Sequence, residues 1–222
     1  GAYNTAVGGR ALYVNTTGEH ITALGNQALF ANTTGNNNVA VGSEALAANT
    51  TGYNNVSVGT ESLKVNTTGS ANTALGDDAL RTNTTASSNT AVGQNSLYYN
   101  TTGASNTAVG DRSMPVNTTG YGNVSIGKDS MEANTEGFLN VAIGSNVMAS
   151  ALNSSTYNTA LGYFALNNIT DGVSNVGIGS SAGGALTTGI KNVIMGDSAG
   201  DAMTTTSNTV IIGYQAGTAI NH

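Results

Sequence analysis

The feature that most constrains this chain is a glycine that returns at a fixed interval. Gly8, Gly25, Gly42, Gly59, Gly76, Gly93, Gly110, Gly127, Gly144, Gly162, Gly179, Gly196 and Gly213 follow one another at steps of seventeen residues, with a single step of eighteen before Gly162. A short period held in phase over the whole length is the signature of a solenoid, in which each unit buries its apolar residues only against its neighbours. Residues 1–222 therefore read as one repeat domain of thirteen rungs. At the roughly 4.8 Å spacing of adjacent strands, thirteen rungs make a rod of about 60 Å. Positions are counted below from the glycine of each rung, which is position 0.

The columns of this alignment define a strand. Position −1 is always apolar, from Val7 and Leu24 to Ile212, and position −3 is always Thr or Val, from Thr5 to Val210. Position −2 is Ala or Ser in ten of thirteen rungs. This period of two with β-branched residues predicts a short β-strand, and the recurrent glycines exclude a helix. A second apolar column stands at +4, including Leu12, Leu29, Leu46, Leu63, Leu80, Leu97, Met114, Met131, Met148 and Leu166, and predicts a second short strand. The expected rung is strand, Gly-led turn, strand, and a turn at "NTTG". The fold class expected is all-β, a parallel β-solenoid.

Asn and Gly punctuate for separate reasons. Asn holds position −4 in eleven of thirteen rungs, including Asn4, Asn38, Asn55, Asn72, Asn89, Asn106, Asn123 and Asn140. Stacked at strand spacing, such side chains can bond along the axis and satisfy turn backbone groups, so they are read as a structural ladder together with the position-0 glycines. The second glycine of each rung, as at Gly18, Gly35, Gly52, Gly69, Gly103, Gly120 and Gly137, suits a turn that needs positive φ. "NTT" also matches the N-glycosylation acceptor at Asn15, Asn32, Asn49, Asn66, Asn83, Asn100 and Asn117, but its recurrence is better explained by turn geometry.

Composition removes several classes of function. Only 8% of residues are charged, with 6 Lys and Arg against 12 Asp and Glu and a net charge of −6, which argues against nucleic-acid binding. There is no cysteine, hence no thiolate metal site or thiol nucleophile. No apolar run approaches the roughly 18 residues of a membrane span, so no membrane insertion is expected of this segment. His20 and His222 stand at variable places without partners, and Asp77-Asp78 is the one adjacent carboxylate pair, so no catalytic, cofactor or metal residue is assigned. "GIGSSAGG" at 177–184 has glycines but neither the lysine nor the strand-to-helix setting of a phosphate loop. The chain is not expected to be an enzyme. Its first residues already belong to a repeat and neither end carries an atypical polar cap, so it reads as a segment of a longer fibrous protein.

Pentads such as "NVAIG" at 140–144, "NVSIG" at 123–127 and "NTAVG" at 106–110 resemble the head repeats of YadA-type trimeric adhesins. The longer form "NTAxGxxALxxNTTG" is similar to repeats of phage and prophage tail-fibre proteins, and the late variant "GSSAGGALTTGIKNVIMGDSAG" at 179–200 also looks like that group. The resemblance covers essentially the whole chain. It implies a left-handed β-roll assembled as a homotrimer and used for attachment to a host-surface glycan or protein receptor. It also implies a location on a virion tail fibre or, in the alternative reading, a bacterial surface adhesin. YadA-type rungs are shorter, the extra residues here falling in "NTTG".

Burial points the same way, since a two-strand rung has too little interior for the −3, −1 and Leu columns together. On this reading the small −2 column suits a second close-packed contact, and its face should be covered where it becomes Ile194 and Ile211. Tyr53, Tyr98, Tyr99, Tyr121 and Phe138 fall at turns or rung corners and are the candidate surface contacts. A Thr-ladder ice binder is a weaker alternative, because Val replaces Thr at position −3 in several rungs.

Overall fold

A computed structural model describes residues 1–150 and 154–218. It is all-β, with thirteen strands of three residues running from β1 (Thr5–Val7) to β13 (Val210–Ile212). Each strand occupies positions −3 to −1. All pair in parallel with their sequence neighbours in one sheet, in the order of the chain. The register joins like to like, as Thr5 with Thr22, Ala6 with Ala23 and Val7 with Leu24. The eighteen-residue step lies between β9 (Val141–Ile143) and β10 (Thr159–Leu161), which still pair Thr159 with Val141, so the extra residue is absorbed outside the sheet. The chain is thus a β-solenoid with rungs of about 17 residues.

The second strand expected around the Leu column does not form. Positions +2 and +4 take left-handed dihedrals in successive rungs, as at Glu61 (φ 55) and Leu63 (φ 49), or Asn95 (φ 55) and Leu97 (φ 50). Each such Leu carries a conformational cost of about 1–2 kcal/mol, offset by full burial. The inter-rung hydrogen bonds nevertheless continue through this turn. Gly59 and Glu61 donate back to Val41 and Ser43, whereas Leu63 and Val65 donate forward to Ala79 and Arg81. A ladder without extended backbone thereby replaces the strand.

The face assignment also differs from the expectation. The −2 column, not −1 and −3, points inward: Ala23, Ala40, Ala74, Ala91 and Ala108 are fully buried against the Leu column. The rung is narrow, so a small residue is what fits opposite Leu. Where −2 is Ser, the buried hydroxyl finds a partner at +3, as Ser113 Oγ donating to Ser125 Oγ at 2.9 Å. In the last rungs the bulk changes sides. Gly183, Gly200 and Gly217 occupy the Leu column while Ile194 and Ile211 occupy −2, and a Cβ on Gly217 would lie 2.6 Å from Ile211 Cδ1. Ile194 is therefore core, and it belongs to no separately covered outer face.

The polar half of the interior is built from Asn. At −4, Asn55 Nδ2 donates to the Gly69 carbonyl at 2.9 Å, and its Oδ1 accepts from the Asn72 backbone N–H one rung on at 3.0 Å. At +7, Asn66 Nδ2 donates both to Asn49 Oδ1 and to the same Gly69 carbonyl, each at 2.9 Å. Two ladders thus converge on one carbonyl per rung. Asn38, Asn55, Asn72, Asn89, Asn106, Asn123 and Asn140 are fully buried, and Asn4, at the first rung, is half-buried and bonds Gly18 O at 2.9 Å. Gly8 to Gly144 at position 0 all have φ between 126 and 142. That region is essentially closed to residues with a Cβ.

Candidate functional site

Among the described residues no group of three or more His, Asp or Glu side chains gathers to hold a metal ion. His20 stacks on Tyr3 with ring centroids 4.9 Å apart; His222 lies outside the described residues. Asp77 is exposed, while Asp78 pairs with Arg81 at 3.1 Å. In "GIGSSAGG" the glycines serve packing: a Cβ on Gly177 would meet Leu166 Cγ at 2.6 Å, and one on Gly183 would meet Leu166 Cδ2 at 2.8 Å. The glycosylation-like Asn side chains are core. Asn32, Asn49, Asn66, Asn83, Asn100 and Asn117 are fully buried, a position from which no glycan could project.

Two surfaces remain. The first is the outer face of the strands, made of the −3 and −1 columns. It carries no charge in any of the thirteen rungs, and its residues stay partly open, with Val58 37% and Leu161 44% exposed. A long uncharged, largely apolar face is the kind of surface that proteins commonly use for contacts. Thr holds position −3 in six of the thirteen rungs, so hydroxyls punctuate this face. The first Thr of each "NTT" donates to the next rung's carbonyl, as Thr33 to Thr50 at 3.0 Å and Thr50 to Thr67 at 3.0 Å.

The second surface follows the glycine, at positions +2, +5 and +6, where the sequence varies most. Here the charges form a chain along the axis. Lys64 bridges Glu44 at 2.7 Å and Glu61 at 3.1 Å, and Arg81 bridges Glu61 at 2.7 Å and Asp78. Arg112 then pairs with Asp129 at 3.2 Å and with Glu132. Hydrogen bonds from Lys64 and then Arg81 hold the Glu61 carboxyl below the usual carboxylate range. The bond to Glu44 raises Lys64, and the bond to Glu61 raises Arg81. Partial burial pushes Asp78 up, against the opposing pull of Arg81.

The five candidate aromatics do not form one band. Tyr53, Tyr121 and Phe138 share the −6 column, and Tyr121 stacks on Phe138 at 4.8 Å, with Tyr53 four rungs away. Tyr98 and Tyr99 belong to the charged strip instead, edge to face at 4.5 Å and 72°. The Tyr98 hydroxyl accepts a hydrogen bond from Arg81, whose guanidinium lies 5.5 Å from the ring centre. Beside this pair opens a hollow of about 380 Å³, lined by Tyr98, Tyr99, Pro115 and Val116 and rimmed by Asp78, Asn95, Arg112 and Glu132. The separate columns show no sign of this grouping until they are set in register.

The fold and these surfaces define a parallel β-solenoid with an open apolar flank and a charged, aromatic strip. No protein-family model, no curated protein and no solved structure matches the chain.

Proposed function

We propose that the chain is a rigid, non-catalytic shaft or head segment of a trimeric phage tail fibre, displayed on the virion and contributing to attachment to a host-surface receptor. The observation that carries the reading is the uncharged strand face. Two files of Val, Thr, Leu, Ile and Met run the length of the rod with nothing in the chain covering them, and three copies bringing these faces together around one axis would bury them. The resemblance to tail-fibre repeats supports the fibre reading, and to YadA-type heads the general architecture, including a left-handed winding. Short inter-rung bonds and buried Asn ladders give a stiff rod, which is what a spacer between an anchor and a receptor needs.

Light scattering on the purified chain tests the assembly: the expected mass is three times the 22.1 kDa of one chain. Val58→Glu, placing a charge in the middle of the strand face, should yield single chains with an unchanged circular dichroism spectrum. A wild-type chain that runs as a monomer at micromolar concentration removes the trimer, and with it the main support for a fibre.

A further inference from the structure

We propose that the hollow between the sixth and eighth rungs is a binding site for one uncharged pyranose ring of a surface polysaccharide. The inference deepens the attachment reading and takes its biological setting from it, but the chemistry stands on the hollow itself. Its origin is a gap in a ladder. Position +5 carries Tyr98, Pro115 and Glu132 in successive rungs, with Tyr99 N–H bonded to Pro115 O at 2.9 Å to fix their stacking. The short proline between two long side chains leaves the space. Phe30, Ala47, Lys64 and Arg81 in the same column each donate a backbone N–H to the residue three before, a bond proline cannot make.

The surroundings match a sugar in three respects. First, the floor and walls are apolar and partly aromatic. Tyr98 and Tyr99 stand nearly perpendicular, and Tyr99 is 53% exposed, leaving a free ring on which the C–H face of a pyranose can rest. Second, the rim offers donors and acceptors in a row. Asp78, Asn95 and Arg112 share the +2 column, so they recur at the roughly 4.8 Å rung spacing, a scale suited to successive hydroxyls of one ring. Third, the site is set in advance: Arg81 holds Tyr98, and Asp129 with Glu132 holds Arg112. Fixed side chains reduce the entropy lost on binding. The volume falls in the range of about 300–1,000 Å³ usual for small-molecule sites.

Charge selects the class of sugar. The cations at the hollow are already paired: Arg112 with Asp129 and Glu132, and Arg81 with Asp78 and Glu61. An acidic sugar would have to break one of these pairs to find a counter-charge and would meet the rim carboxylates of Asp78 and Glu132, and a neutral one would not.

The test measures binding of the full chain to glucose, galactose, mannose, N-acetylglucosamine and their short oligomers by saturation-transfer NMR and calorimetry, with glucuronic acid and N-acetylneuraminic acid as acidic comparators. At least one neutral sugar should bind, about tenfold or more tightly than either acidic one. Tyr99→Ala should weaken binding about tenfold or more. Pro115→Tyr, which restores the column's usual bulk and fills the gap, should abolish it while thermal unfolding stays at or above the wild-type temperature. Absence of binding by all neutral sugars, equal or tighter binding of the acidic ones, or indifference to both variants would each overturn the assignment. Adhesion of the chain to host cells is read in parallel. Adhesion that persists without sugar binding rejects the hollow and leaves the attachment reading, whereas sugar binding without adhesion rejects the attachment reading alone.

Discussion

Exchanging bulk between two columns should show that Ile194 and Gly200 divide one volume. Ile194 is fully buried and faces the glycines of the Leu column: a Cβ on Gly200 would lie 3.3 Å from Ile194 Cγ2 and 2.9 Å from Met203 Sδ. Ile194→Ala removes three carbon atoms, about 0.8 kcal/mol each in transfer free energy. With glycine opposite, no side chain can relax into the gap, so a cavity term is added and the total should be about 3–5 kcal/mol. Gly200→Leu alone should cost about 1–3 kcal/mol by overpacking. Its φ of 60 is no obstacle in itself, since Leu166 in the same column holds φ 46. The double variant recreates the Ala and Leu arrangement of the earlier rungs and should recover at least about 2 kcal/mol relative to the sum of the singles. Denaturant titrations by circular dichroism give the global value, and amide hydrogen exchange along β11 (Val176–Ile178), β12 (Val193–Met195) and β13 isolates the end of the rod, where the change is placed. Additive losses would refute the claim that the two positions compete for one space.

Three further perturbations probe other parts of the rung. Asn72→Ala strips the Asn89 N–H of its 3.0 Å partner and leaves the Ala86 carbonyl with Asn83 alone; one buried donor left unsatisfied should cost about 1–3 kcal/mol in the same titration, and no measurable loss would mean that water or a shifted neighbour replaces the ladder. Gly59→Ala forces a Cβ to 2.3 Å from the Gly76 carbonyl at φ 136, and should cost at least about 3 kcal/mol in thermal or chemical unfolding. Because Glu61 is held below its ordinary value, its share of stability is present at neutral pH and disappears as pH falls through its folded-state pKa. Glu61→Gln should therefore flatten that acid limb by under about 1 kcal/mol, whereas Asp78, raised by burial, works in the opposite sense and Asp78→Asn should steepen it.

The period, the strand columns and the position-0 glycines were legible because each is a local requirement repeated in phase: a β-branched pair around a small residue, then a residue with φ near 130. The second glycine of the rung was expected to supply positive φ and does not; it is needed for close packing, a Cβ on Gly35 lying 2.3 Å from the Gly52 carbonyl oxygen. The Leu column misled for a physical reason. Alternation of Ala or Ser with Leu looks like a strand, and nothing in the letters of Glu61 or Leu63 marks a left-handed dihedral; only the continued inter-rung hydrogen bonds explain how the turn keeps the spacing of a sheet. Which face was inward was the other misreading. β-branched residues usually mark the packed side, but here the rung is too narrow for them, and the interior takes Ala against Leu.

The sequence did contain the clue that decides the face. Gly183, Gly200 and Gly217 replace Leu in the very region where Ile194 and Ile211 replace Ala. One column gains bulk where the other loses it, with Gly177 and Gly183 at the changeover packing on Leu166 of the rung before, so −2 and +4 share an interior and −3 and −1 are left outside. The same reasoning separates specificity from architecture. Columns that compensate one another are core, as with Leu and Ile. Columns that vary without compensation face solvent, and the +5 series of Lys64, Arg81, Tyr98, Pro115 and Glu132 is of that kind. Pro115 is the single proline of the chain, and only in register does it become a gap between Tyr98 and Glu132. A rod built from near-identical rungs can distinguish one point on its length from another only through such uncompensated departures, and this one brings aromatic rings, a guanidinium and carboxylates around the same opening.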